Sequence, residues 1–314
     1  MNVSGAVLSL ALVTFVYLGA LVWVDAQGGL MRLAPNLMGV LGTLITVAMT
    51  SWLVRFCRWH WLTHRAGFTP SATRSLLAYL AGFSFTATPG KVGELIRIRY
   101  FEPMGLPPRL VVGLFIYERC LDLLAVLLLA TLAAHQFEQF RIASAFAVVL
   151  VVVVLAVAGN PAWLAALART LDCRHFGRLA MATRVVAGGL ADARRWANWI
   201  DVTVSLGLGL LAWGLLALSF HWLLGRLGAD VPVLTALAIY PLSMLVGAAS
   251  MLPGGLGSTE ATIVILLVSS KVAAEVAVLA AVGARLSSLW ASILFGVMSM
   301  WISEVLRNRK TEPR

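Results

Sequence analysis

The chain has 314 residues, of which 60% are hydrophobic and only 12% charged, and its mean hydropathy is +0.90. A soluble domain carries roughly 25% charged residues, and half that density cannot solvate a globule of this size, so a soluble enzyme, a disordered chain and a secreted disulfide scaffold are excluded. The net charge of +10 comes almost wholly from arginine, since only Lys91, Lys271 and Lys310 are lysines; in a membrane protein such an excess marks loops beside anionic headgroups.

A span needs about 20 apolar residues. In chain order the sequence predicts spans at 3–24, 35–54, 110–134, 141–158, 202–224, 233–252 and 275–305. No basic region precedes the first, so it reads as a retained helix and not a cleaved signal. Two apolar pieces, 75–88 and 259–270, are too short to cross and adjoin Pro-Gly breaks, the mark of re-entrant or broken helices. The fold class expected is therefore an all-α polytopic membrane protein of about seven full spans plus two short segments, arranged as two related repeats. Its expected divisions are a first membrane half (1–158), a cytoplasmic amphipathic connector (159–201) and a second half (202–314).

The stretches 55–74, 89–109, 159–200 and 307–314 hold 18 of the 24 Lys and Arg. Basic loops face the cytoplasm, so both termini are expected inside, in a bacterial-type inner (cytoplasmic) membrane. Within the connector, Trp, Leu and Arg alternate at near-helical spacing, which suits either a helix lying on the inner leaflet or a solvated link. His60 and His64 have a metal-ligand spacing, but Arg55, Arg58 and Arg65 oppose a cation, and an interfacial belt with Trp52, Trp59 and Trp61 is expected instead. Cys57, Cys120 and Cys173 form no CxxC pair. Lys271 and Glu275 are expected to cap a turn, and Glu304 to be solvated. No metal, no cofactor and no catalytic residue is expected.

The two halves share a pattern. Thr88-Pro89-Gly90-Lys91-Val92-Gly93-Glu94 corresponds to Leu252-Pro253-Gly254-Gly255-Leu256-Gly257-Ser258-Thr259-Glu260, and an arginine in an apolar run follows each, Arg119 at 30 residues past Pro89 and Arg285 at 32 past Pro253. Proline and glycine stop a helix at membrane depth, and paired interruptions in corresponding halves point to a central transport site. Each restarting helix offers N–H groups to an anion. Glu118, Arg119 and Asp122 occupy one turn, and a charge near the bilayer centre costs at least about 2.5–3.5 kcal/mol. They read either as functional groups or as a clamp pairing Glu94 with Arg119 and Asp122 with Arg97.

PGKVGELIRIRYF, ERCLDLL and LPGGLGSTEA together resemble the membrane region of the lysylphosphatidylglycerol synthase/flippase family, which includes stand-alone flippase-like proteins linked to hopanoid and archaeal glycolipid pathways. The resemblance covers roughly 35–305. It implies two repeats with re-entrant helices around a lipid cavity and movement of a polar-headed lipid (phospholipid, aminoacyl-lipid or polyprenyl-phosphate-linked) between leaflets. The substrate-binding positions carried over are Pro89, Gly90, Gly93, Glu94, Arg97, Glu118, Arg119, Asp122, Pro253, Gly254, Gly255, Gly257, Glu260 and Arg285. The sequence stops at Arg314, where the synthases continue into a cytosolic aminoacyltransferase domain, so aminoacylation is not expected of this chain. The expected partner is a membrane lipid with an anionic or zwitterionic headgroup, and not nucleic acid; a homo-oligomer or a lipid-modifying enzyme partner is also open. The rival readings are an embedded headgroup-modifying enzyme, with Glu94 or Asp122 as base, and a non-transporting partner of such an enzyme.

Overall fold

A computed structural model describes residues 29–131 and 177–308, together with positions 145, 149, 166 and 170. The expected spans 3–24 and 141–158, the first part of the connector and the tail from 309 lie outside the described residues. Every described element is helical. Helix α1 covers Gly29–Arg65, α2 Ala72–Ala81, α3 Pro108–Thr131, α4 Gly177–Ala193 and α5 Trp199–Arg226. They are followed by α6 Val233–Ala249, α7 Ser258–Ser269, α8 Ala274–Arg285 and α9 Ala291–Asn308. Among the described residues, three units are long and apolar enough to cross a membrane: Leu37–Arg65, Trp199–Arg226 and Ala274–Arg307. The last is α8 and α9 run together through a π-helical turn at Leu286–Trp290.

Helix α1 corrects the first boundary. It continues past the expected end at 54 to Arg65, where Gly67 takes φ +88 and the chain closes a Schellman turn. The amide of Phe68 donates to the carbonyl of Thr63 at 3.2 Å, and that of Gly67 to His64 at 2.9 Å. Ala48, Trp52, Arg55, Trp59 and Leu62 fall on one face at alternating spacings of four and three, and all are buried. Trp52 and Trp59 are thus core residues and not belt residues, because the face that carries them packs inward; Trp61 is exposed. Arg55 and Arg58 likewise leave the basic loop to which their charge assigned them, which removes two positive charges from the count that oriented the chain. Lys271 adopts φ +65 and ends α7 through its own backbone.

Helix α1 packs along α5, and α3 is enclosed by α4, α5 and α6. Gly113 of α3 and Gly189 of α4 let those helices meet at backbone distance. Trp196 is buried, donates from Nε1 to Leu62 O at 3.0 Å and accepts from the Tyr117 hydroxyl at 2.9 Å. Residues 177–196 are therefore docked onto the helices. Helix α9 packs on α2, and α7 sits between α6 and α8. Glu304 is not merely solvated: it pairs with Arg99 at 3.1 Å and accepts from Tyr100 at 3.1 Å, tying α9 to the first half.

Candidate functional site

The first Pro-Gly break positions the centre of the site. Thr88 is extended (ψ 151), Pro89 follows, and Gly90 and Lys91 both take left-handed backbone, φ 60 and 57. The chain then coils in a tight 3₁₀ turn to Arg97, so that Glu94 and Arg97 point the same way; Arg97 Nη2 lies 3.0 Å from Glu94 Oε2. Thr86 holds the other carboxylate oxygen of Glu94 at 2.8 Å. Arg97 lies flat against Gly82, where a Cβ would collide with its Nε. Its guanidinium is ringed by Tyr79, Trp59 and Phe83 at 4.1, 5.2 and 5.4 Å from their centroids, while Nε donates to the carbonyl of Tyr79 at 3.0 Å.

Helix α3 brings up Glu118, Arg119 and Asp122, with Glu118 and Asp122 on one face. Arg58 of α1 bridges that face: its Nη2 donates to Glu118 Oε1 at 3.0 Å and to Asp122 Oδ1 at 2.7 Å. Glu118 also accepts from the Tyr79 hydroxyl at 2.8 Å and meets Arg97 at 3.5 Å. Arg119 reaches Glu118 at 3.4 Å and Asp122 at 3.1 Å, and Arg55 reaches Asp122 at 3.7 Å. The clamp expected from sequence is therefore differently wired. Glu94 pairs with Arg97 and not Arg119, because the 3₁₀ turn sets residues 94 and 97 side by side; Asp122 pairs with Arg58, Arg119 and Arg55 and not Arg97. Buried pairs of this kind cost desolvation to form, so losing one partner costs more than the pairing itself contributes.

Three members were missed: Arg55, Arg58 and Tyr79, at 5%, 0% and 0% exposure. The two arginines sit beyond the last fully apolar window of the first described helix, where charge counting read them as loop. The signal that finds Arg55 is the α1 face described above, on which it stands between two tryptophans; Arg58 is off that face and has no such signal.

The second break repeats the backbone of the first. Leu252 is extended (ψ 148), and Gly254 and Gly255 take φ 62 and 65. Its chemistry is simpler. Arg285 donates from Nε to Glu260 Oε1 at 2.8 Å and from Nη2 to the carbonyl of Gly254 at 2.6 Å. The two breaks touch, since Gly254 approaches Ala87 so closely that a Cβ there would be 3.4 Å from its Cα. Of the fourteen expected positions, Glu94, Arg97, Glu118, Arg119 and Asp122 form one cluster. Gly254, Glu260 and Arg285 form a second, smaller one. Pro89, Gly90, Gly93, Pro253, Gly255 and Gly257 shape backbone.

The amides at the restarting helices are already engaged. Gly93 N donates to Thr88 Oγ1 at 2.7 Å, and Gly257 N donates to Glu260 Oε2 at 2.8 Å. A carboxylate at a helix start satisfies the same N–H groups and dipole that would attract an anion. His60 and His64 face each other with Nε2 atoms 3.1 Å apart, and the His60 ring stacks on Phe56.

Residues 5–296 match the family described as the lysylphosphatidylglycerol synthase TM region. No curated protein matches the chain.

Proposed function

The chain belongs to the lysylphosphatidylglycerol synthase TM region family, and from that membership we propose that it carries a polar-headed lipid between the leaflets of a bacterial-type inner membrane. The observation that carries the reading is the cluster itself. Arg55, Arg58, Arg97, Arg119, Glu94, Glu118 and Asp122 converge from α1, α3 and the first break, and all but Arg119 are buried. Placing so many charges among apolar helices is expensive, and such groups mark substrate paths by default. The headgroup exchanges its own charges for the ion pairs of the cluster while the tails stay in the bilayer.

The matched backbone of the two breaks supports a duplicated unit. In that arrangement 1–158 and 202–314 are two halves joined by the 159–201 connector, with re-entrant segments at the breaks and both termini cytoplasmic. The protein acts without catalysis, on a lipid with an anionic or zwitterionic headgroup, as a homo-oligomer or beside a lipid-modifying enzyme. Native mass spectrometry of the gently purified protein tests this. A defined polar-headed lipid held by the wild type and lost in Arg119→Ala supports the reading; the same bulk lipids in both contradict it.

One observation favours a second reading. Each of the three carboxylates already has an arginine partner, as in a rigid scaffold that docks a lipid-modifying enzyme without transporting anything. A stoichiometric partner in pull-downs, with no lipid exchange in vesicles, would select it.

A further inference from the structure

Within the cluster, four arginines (Arg55, Arg58, Arg97 and Arg119) face three carboxylates (Glu94, Glu118 and Asp122). Each carboxylate is already used: Glu118 meets three guanidiniums, Asp122 meets three, and Glu94 is held by Arg97 and Thr86. Among the described residues, one positive charge is left over. It resides mostly on Arg55, which is 5% exposed and whose nearest carboxylate oxygen is 3.7 Å away, beyond hydrogen-bonding distance. Its guanidinium lies over Trp213, 4.4 Å from the ring centroid, and its Nε has no acceptor among the described residues; the Nε groups of Arg58 and Arg119 also lack one there.

Burying a cation without a full counter-charge is costly, and a desolvated cation–π contact returns only part of that cost. Arg55 is therefore poorly explained as a structural residue, and well explained as one face of an anion site. Lys91 adds a second cation. It stands in left-handed backbone at the first break, half-buried, three residues before Glu94 in the same turn. Its neighbours Pro89, Gly90 and Val92 are exposed, so this is the open side of the cluster, and the Arg119 side chain is 17% exposed.

We propose that Arg55, Arg119 and Lys91 form a subsite for one phosphate-class anion, either the phosphodiester of a lipid headgroup or free inorganic phosphate, admitted past the first break. The subsite rests on the translocator reading and deepens it, by assigning the group the cavity recognises. Arg97 and Arg285 are not part of it. Arg97 is held by Glu94 and three rings, and Arg285 by Glu260 and a carbonyl, so neither has a free face to offer.

The test is equilibrium dialysis of delipidated protein in a neutral detergent, with labelled inorganic phosphate as one probe and dihexanoylphosphatidylglycerol as competitor. One saturable equivalent is expected. Charge-assisted contacts of about 1.5–3 kcal/mol correspond to losses of tenfold or more, so Arg55→Gln abolishes binding and Lys91→Gln weakens it about tenfold, while Lys271→Gln changes nothing. If Arg55→Gln does not fold, Lys91→Gln decides alone, because its half-buried site does not hold the core together. Displacement by the short-chain lipid identifies a headgroup as the source. Phosphate binding that resists the lipid keeps the subsite and assigns it to the free ion. No saturable binding, or binding indifferent to both variants, overturns it. Leaflet exchange is read separately. Lost anion binding with exchange at the wild-type rate in Lys91→Gln and Arg55→Gln assigns the subsite to the free ion and leaves the translocator standing; intact anion binding with no exchange by the wild type keeps the subsite and removes the translocator.

Discussion

Arg58 and Asp122, 64 positions apart in the chain, meet at 2.7 Å inside the protein. The contact joins a helix of the first described span to the charged turn of α3, and it uses a residue that sequence hydropathy places in a loop. Because Arg58 also holds Glu118, removing it takes the shortest arginine contact from two buried carboxylates at once. Arg58→Met should lower stability by about 3–5 kcal/mol, read by chemical unfolding in detergent against Arg307→Met, whose side chain and whose partner Glu304 are both partly exposed and whose loss should stay below about 1 kcal/mol. Equal losses in the two variants would show that the cluster is not a buried ionic core.

Gly82 tests the packing around Arg97. A Cβ at that position collides with the Arg97 side chain, whereas one at Gly42 meets nothing within 4 Å. Gly82→Ala should cost about 1–3 kcal/mol, the range for overpacking a tight interior. Gly42→Ala should be neutral or stabilising by up to about 1 kcal/mol, since alanine is the better helix former. The pair is read as two thermal unfolding midpoints; a Gly82→Ala midpoint at or above that of Gly42→Ala contradicts the geometry.

At the second break, Arg285 holds the Gly254 carbonyl and Glu260 together, and Glu260 in turn accepts from Gly257 N. Arg285→Gln should therefore speed amide hydrogen exchange across 254–260 while leaving the 89–97 segment protected. Faster exchange in both breaks together would mean that they open as one unit.

Much of the site was legible because charge inside an apolar run is rare. Glu118, Arg119 and Asp122 stand out in α3 on that ground alone, and the Pro-Gly pairs announce breaks because proline lacks the amide a helix needs. Arg55 and Arg58 were hidden by the same rule. An apolar window ends at the first arginine, whether that arginine enters a loop or turns inward to a carboxylate 60 residues away. The pairing was hidden for a different reason. Helical periodicity says which residues share a face of one helix, but not that Pro89–Arg97 would coil as 3₁₀ and bring Glu94 to Arg97, nor that Tyr79 would present its hydroxyl to Glu118. Those relations depend on how α1, α2 and α3 pack, which no single segment encodes. The docking of Trp196 onto Leu62 escaped in the same way.

The central claim is that the buried charge cluster is the path of a lipid headgroup. The most direct measurement is leaflet exchange of a fluorescent phosphatidylglycerol in vesicles containing the purified protein, comparing wild type, Glu118→Gln and empty vesicles. Exchange well above the empty vesicles is expected for the wild type, with a loss of about tenfold or more in Glu118→Gln, whose carboxylate meets Arg58, Arg97 and Arg119. Wild-type protein that exchanges lipid no faster than empty vesicles, or a folded Glu118→Gln that matches the wild type, would contradict it.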